Sequence, residues 1–373
     1  MNMKYRRALF KKRPFDAADN GDFVKAVREM TEYHVKHNEK YAAILRSKGF
    51  DSAELESESD LAKLPFIPTL TLKKHRLFSM PEKLIPVKVT SSGTSGSAGV
   101  IGFELSGLWQ ALKMVCRIFS YKKLFSHRLT NYVVFGYKPD GKNKTAVSKT
   151  AFGATLFAPA LKRTYALKRV DGKYEADLEA VCEAVLKYAK QKHPVRFMGF
   201  PSYTYFAMKL LEQKKISVKL PEGSKIMLAG GWKQYYREQV DKTEFYDTAK
   251  RVLGIDDKDI VEFFGAVEHP IAYCDCKNHH FHVPSYSRVI IRDVSTLEPA
   301  GYGNVGLVEL ITPMIKATPI TAVMTDDLGV LRPGEECGCG IRSPYLEIIG
   351  RVGLKDVKTC AAGAQKLLGD IKL

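Results

Sequence analysis

LEAVCEAVLKYAKQKHPVRFMGFPSYTYFAMKLLEQKKISVKLPEGSKIMLAGG, residues 178–231, switches its hydrophobic period repeatedly, and that switching decides the fold class. Leu178, Val181, Cys182, Val185, Leu186 and Ala189 recur at i, i+3, i+4, i+7, i+8 and i+11, one apolar stripe of a helix that Pro194 closes. VRFMGF (195–200) then reads as a buried strand, YTYFAMKLLEQKK (203–215) as a helix and KIMLAGG (225–231) as a second strand. YYREQVDKTEFYDTAKRVLG (235–254) and DIVEFFG (259–265) repeat the theme, so the spacing predicts βαβ units and a mostly parallel sheet. Such sheets take ligands at the C-terminal ends of their strands.

Outward from this core the grammar changes. After Pro284, SRVIIRDV and GLVELIT flank a turn region with Gly301 and Gly303, which predicts an antiparallel pair in a smaller β-rich subdomain. Towards the start, DFVKAVREMTEYHVKHNEKYAAIL (22–45) has loose helical spacing and reads as a lid or cap, and four prolines between Asp60 and Pro86 mark a connecting segment. We therefore expect a large domain over 1–349, with a helical cap (1–85), an α/β core (86–270) and a β-rich part (271–349), followed by a short tail over 350–373.

The 373 residues are 45% hydrophobic and 27% charged, which excludes fibrous and disordered classes. No stretch approaches the ~18 apolar residues of a membrane span. The basic opening, broken by Pro14 and followed by Asp16, Asp19 and Asp22, lacks a secretory apolar region, and the seven cysteines are an odd number without a framework spacing. A reduced, cytoplasmic protein is expected. Fifty-eight Lys and Arg against 41 Asp and Glu leave +17, which favours anionic partners: phosphate-bearing cofactors, carboxylates, nucleic acid or an acidic subunit.

Residues 90–99, TSSGTSGSAG, place three glycines and a run of hydroxyl side chains behind an extended apolar run. That composition lets backbone amides and hydroxyls converge on phosphate oxygens. No Gly-Lys-Ser/Thr follows, so the loop is not of the Walker type. A flexible linker is the alternative. Gly230-Gly231-Trp232, Phe263-Phe264-Gly265-Ala266-Val267-Glu268, Thr325-Asp326-Asp327 and Gly350-Arg351 follow in that order.

With the loop, this order resembles the adenylate-forming superfamily, whose members include acyl-CoA synthetases, and most of all its phenylacetate-CoA-ligase-like branch. The stretches EHPIAYCDCKNHHFHVPSYSRVIIRDV, ECGCGIRSPY and IIGRVGLKDVKTCAAGA look closest to the acyl-protein synthetases of the bacterial luminescence fatty acid reductase complex. The resemblance implies an α/β adenylate-forming fold. It also implies that Ser91, Ser92, Gly93, Thr94, Ser95 and Gly96 hold the ATP phosphates, where charge must be neutralised. Gly230 and Gly231 would pass close to the adenine beside Phe264 and Gly265. Glu268 would bind Mg²⁺ as a hard carboxylate, Asp327 the ribose hydroxyls, and Arg351 the ribose or a phosphate.

Superfamily relatives continue past the Gly-Arg motif with a mobile domain bearing a lysine that assists adenylation, whereas this sequence stops at Leu373 in a truncated segment. Lys355 and Lys358 are the candidates to replace that lysine. Cys360 matches the cysteine that takes the acyl group in the resembled family. The chemistry is sensible: two nearby lysines lower a thiol pKa, and Ala361, Ala362, Gly363 and Ala364 leave it unhindered.

The branch similarity further implies a structural zinc on Cys276, His282, Cys337 and Cys339, with Cys274 as a substitute. The C-x-C spacing leaves free thiols beside a surface histidine cluster as the alternative. Pro201-Ser202-Tyr203 resembles a turn near the acyl pocket, though a helix N-cap at Ser202 explains it equally; Cys116 and Cys182 are assigned to the core.

The expected function is ATP-dependent activation of a long-chain fatty acid as acyl-AMP, transfer to Cys360, and delivery to an acyl-CoA-reductase-type subunit, with an acyl-transferase subunit as a further partner. An acyl- or aryl-CoA ligase is the alternative. A basic, zinc-stabilised nucleic-acid-binding protein is the third reading, against which no RNP-like aromatic motif or helix-turn-helix pattern is found, so no nucleic-acid partner is expected.

Overall fold

A computed structural model describes residues 3–16, 21–90, 99–137, 152–170, 173–232 and 239–351. The chain divides into two compact units, one made of Met1–Ile118 and Ala266–Leu373, the other of Phe119–Gly265. These boundaries fall at other places than the expected divisions at 85 and 270.

The Phe119–Gly265 unit is built on a sheet in which β4 (Thr130–Tyr137), β5 (Ala160–Val170), β7 (Val195–Gly199), β8 (Lys225–Ala229) and β9 (Ile260–Ala266) are parallel, in the order β9-β8-β7-β4-β5. β6 (Lys173–Ala176) adds an antiparallel edge to β5. The helices Leu178–Ala189, Pro201–Gln213 and Lys242–Leu253 cover one face of it. Their stripes bury Val181, Cys182 and Val185, then Met208 and Leu211, then Ala249 and Val252, against Val133, Phe135, Val195, Phe197, Ile226 and Leu228. Full burial of each large aliphatic side chain stabilises the fold by roughly 1.5–3 kcal/mol. Asp177 caps the first helix by accepting from the Ala180 N–H, and Pro201 occupies the first turn of the second. The third helix starts later than its periodicity suggests. Asp241 accepts from the Glu244 N–H and takes an extended backbone, so Gln239–Asp241 are not helical.

In the other unit, β12 (Arg288–Arg292), β13 (Val305–Ile311), β14 (Ala322–Arg332) and β15 (Tyr345–Arg351) form an antiparallel meander, with β11 (Phe281–His282) beyond β15. The predicted pair SRVIIRDV and GLVELIT is thus observed, with Arg288 opposite Ile311. β1 (Ile67–Pro68) joins β14 in parallel, Ile67 opposite Val323, and the helix α1 (Thr69–Lys74) follows at once. β2 (Val87–Thr90) and β3 (Val100–Phe103) pair antiparallel and flank the Ser/Thr/Gly loop, whose residues 91–98 lie outside the described residues.

The expected cap is helical over Lys4–Leu9, Asp22–His37 and Glu39–Ser47 and belongs to this same unit. A buried ion pair secures it. Arg6 donates from Nη2 to Glu104 Oε1 at 2.8 Å and from Nη1 to Ser106 Oγ at 3.0 Å, while Glu104 Oε2 accepts from the Lys316 and Ala317 N–H groups at 3.1 and 3.0 Å. Among the described residues, no helix is long and apolar enough to cross a membrane.

His34 and His269 are fully buried in this unit. His34 lies 2.7 Å from Ser79 Oγ and 3.2 Å from the Ile315 carbonyl, and His269 3.0 Å from Ser287 Oγ. Burial pushes both down to about 3. Below the ordinary histidine pKa of about 6.5 the unfolded chain takes up protons that the folded chain refuses. Their contribution is therefore complete above pH 6.5 and is lost progressively as the pH falls towards 3, at up to about 1.4 kcal/mol per pH unit for each ring. Urea unfolding is expected to show a loss of about 4 kcal/mol between pH 7.5 and 5, and His34→Asn to flatten that slope by about half.

Candidate active site and metal centre

The glycine pair at the C-terminal end of β8 has the left-handed backbone that favours glycine, with φ of 83° at Gly230 and 66° at Gly231. Nothing lies within 4 Å of where a Gly231 Cβ would be, so the demand is conformational and the space beside it is open. Phe264 and Gly265 end β9 in the same unit, Phe264 half-buried and Gly265 exposed. Both pairs therefore sit at the strand ends where open α/β sheets take ligands. Glu268 follows in the turn between β9 and β10 (His269–Cys274) and is 6% exposed.

Asp327 and Arg351, 24 positions apart, are cross-strand neighbours on β14 and β15. Their register depends on an irregularity at Leu328/Gly329, where a Cβ on Gly329 would come 2.7 Å from the Glu347 carbonyl oxygen. Arg351 Nε lies 3.8 Å from Asp327 Oδ1, and its Nη2 lies 3.7 Å from Asp326 Oδ2. The Asp327 N–H donates to Thr325 Oγ1, which in turn donates to the Val308 carbonyl, so the Thr-Asp-Asp run is held by its own threonine. Lys73, from α1, reaches the same Asp326 oxygen at 3.7 Å with a side chain only 7% exposed. Spacing gave no hint of Lys73: only the β1–β14 pairing carries α1 to this place. Ser91, Ser92, Gly93, Thr94, Ser95 and Gly96, like Lys355, Lys358 and Cys360, fall outside the described residues.

Cys276, His282, Cys337 and Cys339 converge, their ligating atoms all within 4.8 Å of one another. Cys276 Sγ is 3.5 Å from Cys337 Sγ, and Cys339 Sγ 3.2 Å from His282 Nε2. Tetrahedral zinc with Zn–S of about 2.3 Å and Zn–N of about 2.0 Å separates its ligands by about 3.5–3.8 Å, close to these distances. The tautomer also fits. His282 donates from Nδ1 to the Ser343 carbonyl at 2.6 Å, which leaves Nε2 free to ligate. The Asn278 and Ile341 N–H groups donate to the Cys276 and Cys339 sulfurs at 3.3 and 3.4 Å, and Gly338 and Gly340 have the positive φ that lets the second loop fold around them.

Burial disfavours the Cys276 thiolate, but hydrogen bonding with His282 and nearby backbone outweighs it and holds this thiol at about 6. Burial and the neighbouring thiols push Cys337 up to about 12. His280 is a neighbour that the sequence reading left out of its set, with Nδ1 3.2 Å from Cys337 Sγ and its ring stacked on Tyr345 at 4.4 Å. Cys274 is buried on β10 and does not belong to the converging group.

Residues 7–368 match a family model described as "Acyl-protein synthetase, LuxE". Two curated relatives, both named long-chain-fatty-acid--luciferin-component ligase, are similar over 90% of this chain. The Aliivibrio fischeri protein is 22% identical over 343 residues, 86% of its length, and the Vibrio harveyi protein 22% over 342 residues, 85% of its length. Among solved structures, 2-hydroxyisobutyryl-CoA ligase in an open conformation, in complex with 2-HIB-AMP and CoA, superposes with a TM-score of 0.65 at 15% identity, covering 88% of this chain and 74% of that one. The same ligase in its postadenylation state, with R3-HIB-AMP, gives 0.66 at 14% identity, over 91% of this chain and 69% of that one. At these identities the likeness shows the adenylate-forming fold.

Proposed function

The chain belongs to the LuxE acyl-protein synthetase family, and from that premise we propose that it activates a long-chain fatty acid with ATP, holds the acyl group on Cys360 and delivers it to a reductase subunit of a luminescence fatty acid reductase complex. It is an ATP-dependent ligase of the adenylate-forming fold. The observation that carries the reading is the family match across residues 7–368, which includes Cys360.

The fatty carboxylate attacks the α-phosphorus of ATP, and diphosphate leaves. The glycine-rich ends of β8 and β9 accept the adenosine. Asp327, steadied by Arg351, accepts from the ribose hydroxyls, and the Ser91–Gly96 run takes the phosphates. Glu268 is the residue to hold Mg²⁺, which when bound neutralises phosphate charge. Lys73 brings a fixed cation beside Asp326 and balances two adjacent carboxylates. The Cys360 thiolate then attacks the acyl carbonyl, AMP leaves, and a thiol of the reductase subunit takes the acyl group by thioester exchange. Cys276, His282, Cys337 and Cys339 would hold zinc as a structural ion, because four protein ligands leave no position for water.

Incubation with radiolabelled tetradecanoic acid, ATP and Mg²⁺ tests the reading. It expects acyl-AMP and a protein-bound label released by neutral hydroxylamine. Label that reaches only added coenzyme A would make the chain a CoA ligase, and no adenylate with any acid would overturn the proposal. Asp327→Ala removes charge-assisted bonds worth about 1.5–3 kcal/mol, so the KM for ATP is expected to rise about tenfold to a hundredfold in diphosphate exchange.

A further inference from the structure

Residues 119–137 and 152–170 hold four lysines and three arginines and no acid, so +7 of the net +17 lies in these 38 residues. There the charge coincides with exposed apolar side chains. The loop that leads into β4 and the segment that leads into β5 meet through the Ser126 N–H donating to the Phe157 carbonyl at 3.2 Å and the Thr130 N–H donating to the Pro159 carbonyl at 2.8 Å. Thr130 pairs with Ala160 in parallel, with Leu129 just before β4 and Leu161 at the irregularity that follows this first pair, and Phe125 packs edge-on against Phe157 at 5.2 Å.

At this corner Leu124 and Ala158 are buried, yet Phe125, Leu129, Leu156 and Leu161 are 49%, 45%, 65% and 47% exposed. Lys123, Arg128 and Lys162 stand exposed among them. Large apolar side chains gathered at one corner rather than scattered singly mark an interaction surface. The corner lies at the N-terminal ends of the parallel strands, whereas Gly230, Gly231 and Gly265 lie at the C-terminal ends of theirs, so it is not part of the candidate active site.

We propose that this corner docks on an anionic lipid surface. Lysine is depleted at protein–protein interfaces, where arginine and aromatic residues take its place. Lys123 and Lys162, with Arg128, beside leucine and phenylalanine instead match the composition that binds acidic headgroups while the apolar side chains enter the boundary of the acyl chains. The surface stands whether or not the ligase reading holds. If it holds, docking brings the enzyme to the phase in which a long-chain acid concentrates.

The test is co-sedimentation of the full chain with sucrose-loaded vesicles of phosphatidylcholine alone or with 30% phosphatidylglycerol, at 0.1 and 0.5 M NaCl. Association at least tenfold stronger with the anionic vesicles, weakened at high salt, is expected. Leu156→Ser with Leu161→Ser, and separately Lys123→Glu with Lys162→Glu, are expected to weaken it at least fivefold with unchanged melting temperature. Equal binding to both vesicle types, no binding, or wild-type binding by both folded variants would overturn the proposal. Tighter capture by an acidic polypeptide or by duplex DNA than by vesicles of equal charge, insensitive to the leucine changes, would also overturn it. The readout needs neither ATP nor acid, so its failure and failure of the ligase reading are separate results.

Discussion

Cys337→Ser is expected to take the zinc content of the purified protein from about one ion per chain to none, and to lower the melting temperature by about 10 °C. Cys276 and His282 come from the β10–β11 region, Cys337 and Cys339 from the connection between β14 and β15. An ion bound by all four would tie two segments about 60 positions apart. Zinc-finger peptides gain about 10–16 kcal/mol from such an ion, and a site set in an existing core loses less when one ligand goes, several kcal/mol. Serine also leaves a buried sulfur cluster short of one donor beside His280, whose Nδ1 is 3.2 Å from the Cys337 sulfur. Metal analysis with calorimetry before and after a strong chelator decides the matter. Absence of zinc in the native protein with an unchanged melting temperature after chelation would exclude the site. Because the quartet is closed, zinc removal should act on stability before it acts on adenylate chemistry.

Cys360→Ala is expected to abolish hydroxylamine-labile acyl-protein, by more than a hundredfold, while acyl-AMP formation stays within about twofold of wild type. Adenylation breaks the bond to diphosphate without a thiol; only the second displacement needs one. Lys355 and Lys358 stand five and two positions before the cysteine, and their cations favour the thiolate. Replacing both by alanine separates two roles. A slower thioester step alone would assign them to the thiol, and a slower adenylation step, by about tenfold, would assign them to the phosphates in the role of the lysine that assists adenylation in superfamily relatives. An unchanged adenylation rate removes the second role.

The residue order along the chain carried much of this. The 3.6 period of 178–189, closed by Pro194, and the apolar runs 195–199 and 225–229 are local signals, and local signals survive without knowledge of distant partners. The start of the helix at Lys242 was hidden within the run 235–254 because Asp241, which caps it by accepting from the Glu244 N–H, is in the sequence one acid among several there. The four members of the metal quartet were legible as residue types, since C-x-C and H-x-H pairs are chemically conspicuous.

What sequence alone determined, then, is what depends on near neighbours: the alternating units, the antiparallel pair after Pro284 and the chemical kinds of the candidate ligands. Tertiary structure decided everything that rests on which strands pair. It set Asp327 opposite Arg351 through a bulge at Gly329, carried Lys73 to Asp326 through two residues of β1, and aimed His282 Nε2 at sulfur by bonding its Nδ1 to Ser343. It also turned Phe125, Leu129, Leu156 and Leu161 outward, although in the sequence they are indistinguishable from core residues such as Leu124. The physical reason is common to all of them: a side chain's partners follow from long-range strand register and burial, and neither is written in the spacing of its own segment.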